Sequence, residues 1–295
     1  MALIDLHIHS TQSDGTYSPE AIATYAKVKG LSAIALTDHD SIQGVLSCQK
    51  VGENLGLKVI PGIELSASYG QLEVHILGYN IDISNTLFLH SLEQLAQNRQ
   101  SRNELILQKL NGLGLLLTME DLNPDNTPYI VLTRAHFAST LLKKGYINHL
   151  QEAFDRYLGN GKPAYVPKNH LSSKDCINLI HDAGGVAILA HPTLYKLNKV
   201  NMYNLINILI SEGLDGIECM YPSYTPAQTK DFIRLCKKYH LICTGGSDFH
   251  GENKPALDLG IGYGNLQIPE SFLEGLSDSP KILINNSTFP PVKMF

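Results

Sequence analysis

Apolar positions along this chain gather into short runs that end in polar, chemically capable residues, and most runs are followed by a segment of helical periodicity. The first run is Leu3-Ile4-Asp5-Leu6-His7, after which Ser18-Pro19-Glu20 opens a helix that continues through Tyr25 and Val28 to Gly30. Ser18 suits the N-cap because its side-chain oxygen can accept from an orphaned amide; Pro19 suits the first helical position and Gly30 the stop. The second run, Ala33 to Leu36, ends in Thr37-Asp38-His39-Asp40, and Leu57 to Glu64 and Leu72 to Leu77 supply two more strands. This alternation predicts an α/β fold built from βα units.

From about Asn85 to Lys168 the rhythm changes. Leu87, Leu92, Leu95, Leu105, Ile106, Leu110 and Leu113 recur at helical spacing, and Ala135 to Leu142 and Leu150 to Leu158 read as shorter helices. The pattern predicts a helical insert over 85–168, its Leu stripe forming helix core rather than a cofactor site, between the two parts of a barrel domain, 1–84 and 169–295. Barrel rhythm resumes with Gly185 to Ala190, Leu214 to Cys219 and Leu241 to Gly246, with helices from roughly Tyr203 to Ser211 and Pro226 to Tyr239 between them.

Composition narrows the class. A chain of 295 residues with 43% hydrophobic and 17% charged residues is of globular type, neither disordered nor membrane-spanning. The N-terminus leads straight into a strand without a basic and then apolar leader, which predicts a cytoplasmic protein. Five cysteines without a C-x-x-C spacing argue for reduced thiols rather than a disulfide framework. The net charge of −5 lacks the basic footprint of a duplex-DNA binder, so a nucleic-acid substrate would be recognised locally, at an end.

Twelve histidines are the unusual total, and their positions matter more than their number. His7, His9, His39, Glu64, His75, His191, Asp248 and His250 all fall on or just past predicted strand ends, the rim where side chains from different strands of a βα barrel converge. Residues two apart on a strand share a face, so His7-Ile8-His9 could hold one cation together. Alone, such a pair is as well read as two half-buried histidines. Recurrence of ionisable groups at equivalent strand ends changes the balance, because burying so many without a cation is costly. Imidazole plus carboxylate without thiolate suits Mn, Fe or Zn ions. Asp38 and Glu218 fall at similar rim positions and could orient ligand histidines. His90, His149, His170, His181 and His240 lie in helices or connections and read as ordinary histidines.

Asp5-Leu6-His7-Ile8-His9-Ser10 with Asp14-Gly15, Thr37-Asp38-His39-Asp40, Gly62-Ile63-Glu64, Ala190-His191-Pro192 and Gly246-Ser247-Asp248-Phe249-His250 together resemble the successive motifs of the PHP (polymerase and histidinol phosphatase) superfamily. The resemblance implies a distorted seven-stranded β/α barrel holding three metal ions. By similarity, His7, His9, Glu64 and Asp248 would hold the first and Glu64, His75 and His191 the second. Asp14, His39 and His250 would hold the third. His191 and Asp38 are the catalytic candidates. Within the superfamily the chain resembles the stand-alone phosphoesterases of nucleotides, including 3′,5′-bisphosphatases and 5′→3′ exonucleases of short RNA. The insert carries that likeness in Thr133-Arg134-Ala135-His136-Phe137-Ala138, Phe154 to Gly159 and Gly161 to Pro167, with Thr133 standing where relatives commonly have Gly. Arg134 and Lys162 are the candidate phosphate grips, since guanidinium and ammonium groups commonly bind phosphate.

These readings imply a hydrolase of nucleotide phosphate esters, or of a short single-stranded RNA end, using water activated by metals. A phosphatase of small metabolites such as histidinol phosphate would use the same ions. An amidohydrolase-like C–N hydrolase also uses a first-strand H-x-H pair, although the closing Asp248-Phe249-His250 and the lack of an obvious strand-end lysine speak against it. A non-catalytic module is disfavoured by the full donor set.

Overall fold

The computed structural model describes residues 3–124, 126–127, 130–167 and 171–277; His170 and the expected insert boundary at 168/169 lie outside the described residues. Its strands are β1 (Leu3–Ile8), β2 (Leu31–Leu36), β3 (Lys58–Tyr69), β4 (Leu72–Tyr79), β5 (Leu171–Ser172), β6 (Val186–Leu189), β7 (Gly216–Met220), β8 (Ile242–Gly245) and β9 (Ile268–Pro269). Helices α1 (Pro19–Val28) and α2 (Val45–Leu55) precede the insert, which carries α3 (Thr86–Gly112), α4 (Met119–Leu122), α5 (Arg134–Lys143) and α6 (Leu150–Ala153). A π-helical turn, Phe154–Leu158, continues α6. Helices α7 (Ser173–Asp182), α8 (Lys199–Ser211), α9 (Pro226–Tyr239) and α10 (Phe272–Ser277) follow.

The sheet order is β8-β7-β6-β4-β3-β2-β1-β9, with β5 added to β3. Seven strands longer than two residues form a barrel-like α/β architecture, as the resemblance implies. The parallel rhythm breaks at β4, which pairs antiparallel with both β3 and β6. Only Gly70 and Gln71 separate β3 from β4, too short a link for a crossover, and Gly70 turns the chain with φ +60°. Past β8 the chain runs beside the end of β1. The Asp248 amide donates to the His7 carbonyl at 2.8 Å and the His9 amide to the Phe249 carbonyl at 2.9 Å, drawing the two ends of the sheet together.

Local chemistry explains the helix limits. Ser18 accepts from the Ala21 amide at the start of α1, and Gly30 follows its end with φ +76°. Helix α8 begins at Lys199, ahead of the expected Tyr203, because the Asn198 side chain accepts from the Asn201 amide and caps an earlier turn. In α3 the Leu repeat and the buried face do not coincide. Leu87, Leu105 and Leu113 are 72%, 48% and 47% exposed. The buried positions are Phe88, Leu92, Arg99, Arg102, Asn103, Ile106, Leu107 and Leu110. Ile106, Leu110, Phe137, Leu141, Ala153 and Leu158 belong to an apolar core confined to the insert, apart from the cores on the sheet. No helix among the described residues is long and apolar enough to cross a membrane.

Closure depends on Gly246. A Cβ added there would lie 2.1 Å from the His7 Cβ and 2.5 Å from the His7 amide nitrogen. Gly246→Ala is therefore expected to wedge β1 away from the segment after β8 and lower stability by ~1–3 kcal/mol, the usual cost of overpacking. Urea unfolding of the variant beside the parent checks this; equal midpoints would refute the close approach.

Candidate metal centre

The rim brings remote residues to one pocket. His7 comes from β1, His9 and Asp14 from the segment after it, His39 from the end of β2, Glu64 from β3 and His75 from β4. His191 follows β6, and Asp248 and His250 follow β8. A parallel bridge between His39 and Glu64 extends the β2–β3 pairing to the rim. All the sequence-derived donors meet there, and most are buried.

Glu64 stands at the middle, one oxygen to each side. Its Oε1 lies 2.9 Å from His75 Nδ1 and 2.9 Å from His191 Nε2. Its Oε2 lies 3.3 Å from His7 Nε2, 3.2 Å from His9 Nε2 and 3.0 Å from His39 Nδ1. Asp248 Oδ1 is 3.6 Å from His7 Nε2 and 3.3 Å from His9 Nε2. On the far side of His9, Asp14 Oδ1 approaches His250 Nε2 at 3.3 Å and Oδ2 approaches His39 Nε2 at 3.8 Å. Three sets of donor atoms, each within 4.8 Å, result on this side: His7, His9, Asp248; His9, Asp14, His39, His250; and His39, Glu64, His75. His7, Glu64 and His191 form a fourth.

Orientation tests whether cations fit. His7 Nδ1 faces Glu218 Oε1 at 2.9 Å, and a carboxylate there fixes the proton on Nδ1. The His7 Nε2 lone pair then points at His9 Nε2, 3.1 Å away. His39 Nδ1 and Glu64 Oε2 stand 3.0 Å apart, yet neither has a hydrogen-bond partner among the described residues. Lone pairs facing a common point are what ligands of one cation present. The donor set is nitrogen and oxygen throughout, so these residues fit Mn, Fe or Zn.

The electrostatics agree. Burial pushes His7 down, but Glu218, Glu64 and Asp248 outweigh it and hold the imidazole well above its ordinary value. His9 and His75 likewise rise to about 9 against burial, through carboxylates around them. Burial opposes ionisation of Glu64 and Asp14, yet the imidazoles hold both well below the usual carboxylate range. Lys254 adds to that effect at Asp248. His39 differs, with burial driving it well below the ordinary imidazole value.

A surrounding layer aims the donors. Glu218 also accepts the His191 amide at 2.7 Å. Tyr221 and Lys254 donate to Asp248 Oδ2 at 2.7 and 2.5 Å, leaving Oδ1 for the pocket. Asp38 accepts from the Ser10 amide at 2.7 Å and from the Ser10 and Ser13 hydroxyls at 2.6 Å each. Its oxygens are thus engaged in shaping the loop that carries His9 and Asp14. Asp5 does similar work for the closing segment, accepting from the Ser247 and Gly260 amides. His191 and Asp248 hold positive φ values of +26° and +55°, and Asp40 +49°, conformations uncommon for residues with side chains.

The insert reaches this rim. Thr133 caps α5, and its hydroxyl donates to Asp14 Oδ2 at 3.2 Å, which gives the departure from Gly a structural role. His136 completes the same cap by accepting the Thr133 amide at 3.0 Å. Arg134 opens α5; it lies 3.7 Å from Glu73 Oε2, and Glu73 Oε1 is 3.6 Å from His75 Nε2. Lys162 is exposed in the turn after the π-helix, and no described contact joins it to the pocket.

Two arginines escaped the sequence reading. Arg99 pairs with Asp40, beside His39, and Arg102 donates through Nε to the Val166 carbonyl at 3.0 Å. Arg99 Nη1 and both terminal nitrogens of Arg102 are buried without a hydrogen-bond partner among the described residues. Burial and Arg102 push Arg99 down to about 10, and burial and Arg134 do the same to Arg102, which marks the three guanidinium groups as neighbours. Their signal was helical spacing: 88, 92, 95, 99, 102 and 106 trace one face of α3 on which charged residues replace apolar ones.

Known proteins resemble the chain along most of its length. A 5′-3′ exoribonuclease, Rnm, of Escherichia coli is 32% identical over 260 residues, 88% of each chain. A 3′,5′-nucleoside bisphosphate phosphatase of Chromobacterium violaceum is 30% identical over 265 residues, 88% of this chain and 91% of its own. A solved structure from Bifidobacterium adolescentis, named as a candidate metal-dependent phosphoesterase, superposes with a TM-score of 0.82 at 26% identity, covering 92% of this chain and 94% of its own. The PHP domain model matches residues 5–252, and with that span containing every donor of the pocket, the chain belongs to the PHP domain family.

Proposed function

We propose that this metal-dependent phosphoesterase hydrolyses nucleotide phosphate esters: a nucleoside 3′,5′-bisphosphate, a nucleoside monophosphate or the 5′-phosphorylated end of a short single-stranded RNA. One juxtaposition carries the reading. Arg99, which pairs with Asp40 next to His39, and Arg102, one turn along the same helix, hold buried guanidinium nitrogens without partners among the described residues, on the insert side of the pocket of converging metal donors. An unpaired buried charged donor costs about 1–3 kcal/mol or more, and a bound phosphate would remove that cost.

Three ions are assigned, of Mn, Fe or Zn: one with His7, His9, Glu64 and Asp248, one with Glu64, His75 and His191, one with Asp14, His39 and His250. Bound there, such ions would polarise phosphoryl oxygens and lower the pKa of water. The protein's own part is orientation. Glu218 holds the His7 tautomer and the His191 amide, and Tyr221 and Lys254 hold Asp248. His191 turns Nε2 toward Glu64, while its buried Nδ1 has no partner among the described residues, so it can bind with one nitrogen and keep a proton on the other. Arg99, Arg102 and Arg134 grip the phosphate, with Lys162 as a further contact for a longer substrate.

Residues 85–168 are read as a substrate-capping domain on a barrel of 1–84 and 169–295, supported by the insert's own apolar core and by Thr133 on Asp14. Cytoplasmic location fits the free state of all five cysteines. Nothing in the net charge of −5 favours duplex DNA.

Chelator-stripped protein is expected to lose phosphate release and to regain it with added Mn²⁺; full turnover after verified metal removal would exclude the reading. His191→Ala should lower kcat/KM at least about tenfold, a barrier increase of ~1.4 kcal/mol. Arg102→Ala should lower kcat/KM for adenosine 3′,5′-bisphosphate or a 5′-phosphorylated RNA by about 10–100-fold, the worth of a hydrogen bond to a charged group, with metal content unchanged. Strong preference for histidinol phosphate would move the assignment to metabolite phosphatase. Turnover of cyclic amides without ester turnover would move it to C–N hydrolysis.

A further inference from the structure

Outside this centre, three thiols converge from separate elements. In β7, Glu218 points to the rim donors, so its neighbour Cys219 points to the opposite face, toward α9. Parallel register sets Ile217 beside Cys243 and Glu218 beside Thr244, which puts Cys243 on that same outer face of β8. Cys236 lies on the buried stripe of α9 with Phe232 and Leu235. The three sulfurs lie within 4.8 Å of one another, and Cys219 and Cys236 are 3.4 Å apart.

We propose that Cys219, Cys236 and Cys243 form a three-sulfur site for one soft, thiophilic cation of the copper(I) class, beneath α9. A metal–sulfur bond of ~2.3 Å puts three sulfurs around one ion about 4 Å apart, which the present spacing meets with little movement. Among the described residues no His, Asp or Glu joins this donor group, and the walls are apolar: Ile217, Phe232, Leu235 and Tyr239 share its core. Thiolate without oxygen or imidazole selects soft ions, whereas four-coordinate zinc would need a further ligand. Now, Cys219 donates to the Ile217 carbonyl at 3.3 Å and Cys236 to the Ile242 carbonyl at 3.6 Å. The neighbouring sulfurs of Cys219 and then Cys236 lower the Cys243 thiol below its ordinary range. Cys243 is only half-buried, which leaves a route for the ion. The donor chemistry separates this site from the rim, whose ligands are harder.

Reduced holoenzyme, kept saturated with Mn²⁺ to occupy the rim donors, is titrated without oxygen with copper(I) buffered by a competing chelator. The expected result is one tightly held equivalent and a near-ultraviolet thiolate-to-copper band. Cys219→Ser, Cys236→Ser and Cys243→Ser should each weaken copper affinity at least about a hundredfold, the upper end of what loss of a mere outer partner costs. If the fully buried variants fail to fold, Cys243→Ser with an unchanged circular dichroism spectrum decides. Copper lost to the chelator by the parent protein, or held as tightly by Cys243→Ser, overturns the site.

Discussion

Carboxylates and imidazoles turned toward one another inside a closed rim are the constraint on which this fold depends. Glu64 has five imidazoles around its two oxygens. Without cations such a cluster must retain protons on some rings, and the carboxylates hold His9 and His75 at about 9 for that reason. Burying charged groups is expensive unless each is matched, and a cation matches several at once. The arrangement is therefore a set of candidate donors whose members stabilise one another only in part.

Keeping those donors aimed requires the rest of the barrel. Gly246 lets the last segment lie against β1 closely enough for Asp248 to reach His7. Backbone at positive φ turns His191 and Asp248 off their strand ends, a cost of order 1–3 kcal/mol each that persists only where surroundings enforce it. Glu218 enforces it at His191 by accepting the amide, and Tyr221 and Lys254 act likewise on Asp248. Asp40, also at positive φ, accepts the Ser66 amide and pairs with Arg99, so the same strained loop ties the rim to α3.

Much of this was legible from residue pattern because strand ends announce themselves: a short apolar run stopping at His, Asp or Glu is a local signal. The seven longer strands and the capped start of α1 follow from it. What pattern missed has physical reasons. The antiparallel β4 looks like any other strand until its two-residue link is noticed, since direction is not encoded in burial alternation. Helix α3 was read from its leucines, several of which face solvent, while Arg99, Arg102 and Asn103 occupy the inward face. Propensity rules treat an arginine as exposed, and only a ligand or partner overturns that rule. Asp38 is a rim carboxylate whose surroundings pattern does not reveal: two serines and an amide engage both its oxygens. Likewise the three thiols lack motif spacing, and it takes the register of β7 and β8 together with the packing of α9 to join them.

The position of the arginines bears on what kind of substrate the rim can serve. A groove that tracks a nucleic-acid backbone needs exposed, repeated cations, and its affinity comes from many weak phosphate contacts. Here the cationic groups are few, clustered and largely sunk between α3 and α5 beside the donors, in a chain of net charge −5. A phosphate bound as proposed would be held singly by such a group, which offers little to the next. On that proposal, selection for a terminal phosphate over internal linkages would follow from burial itself, without any base-specific contact, and a mononucleotide and an RNA end would be two versions of one ligand.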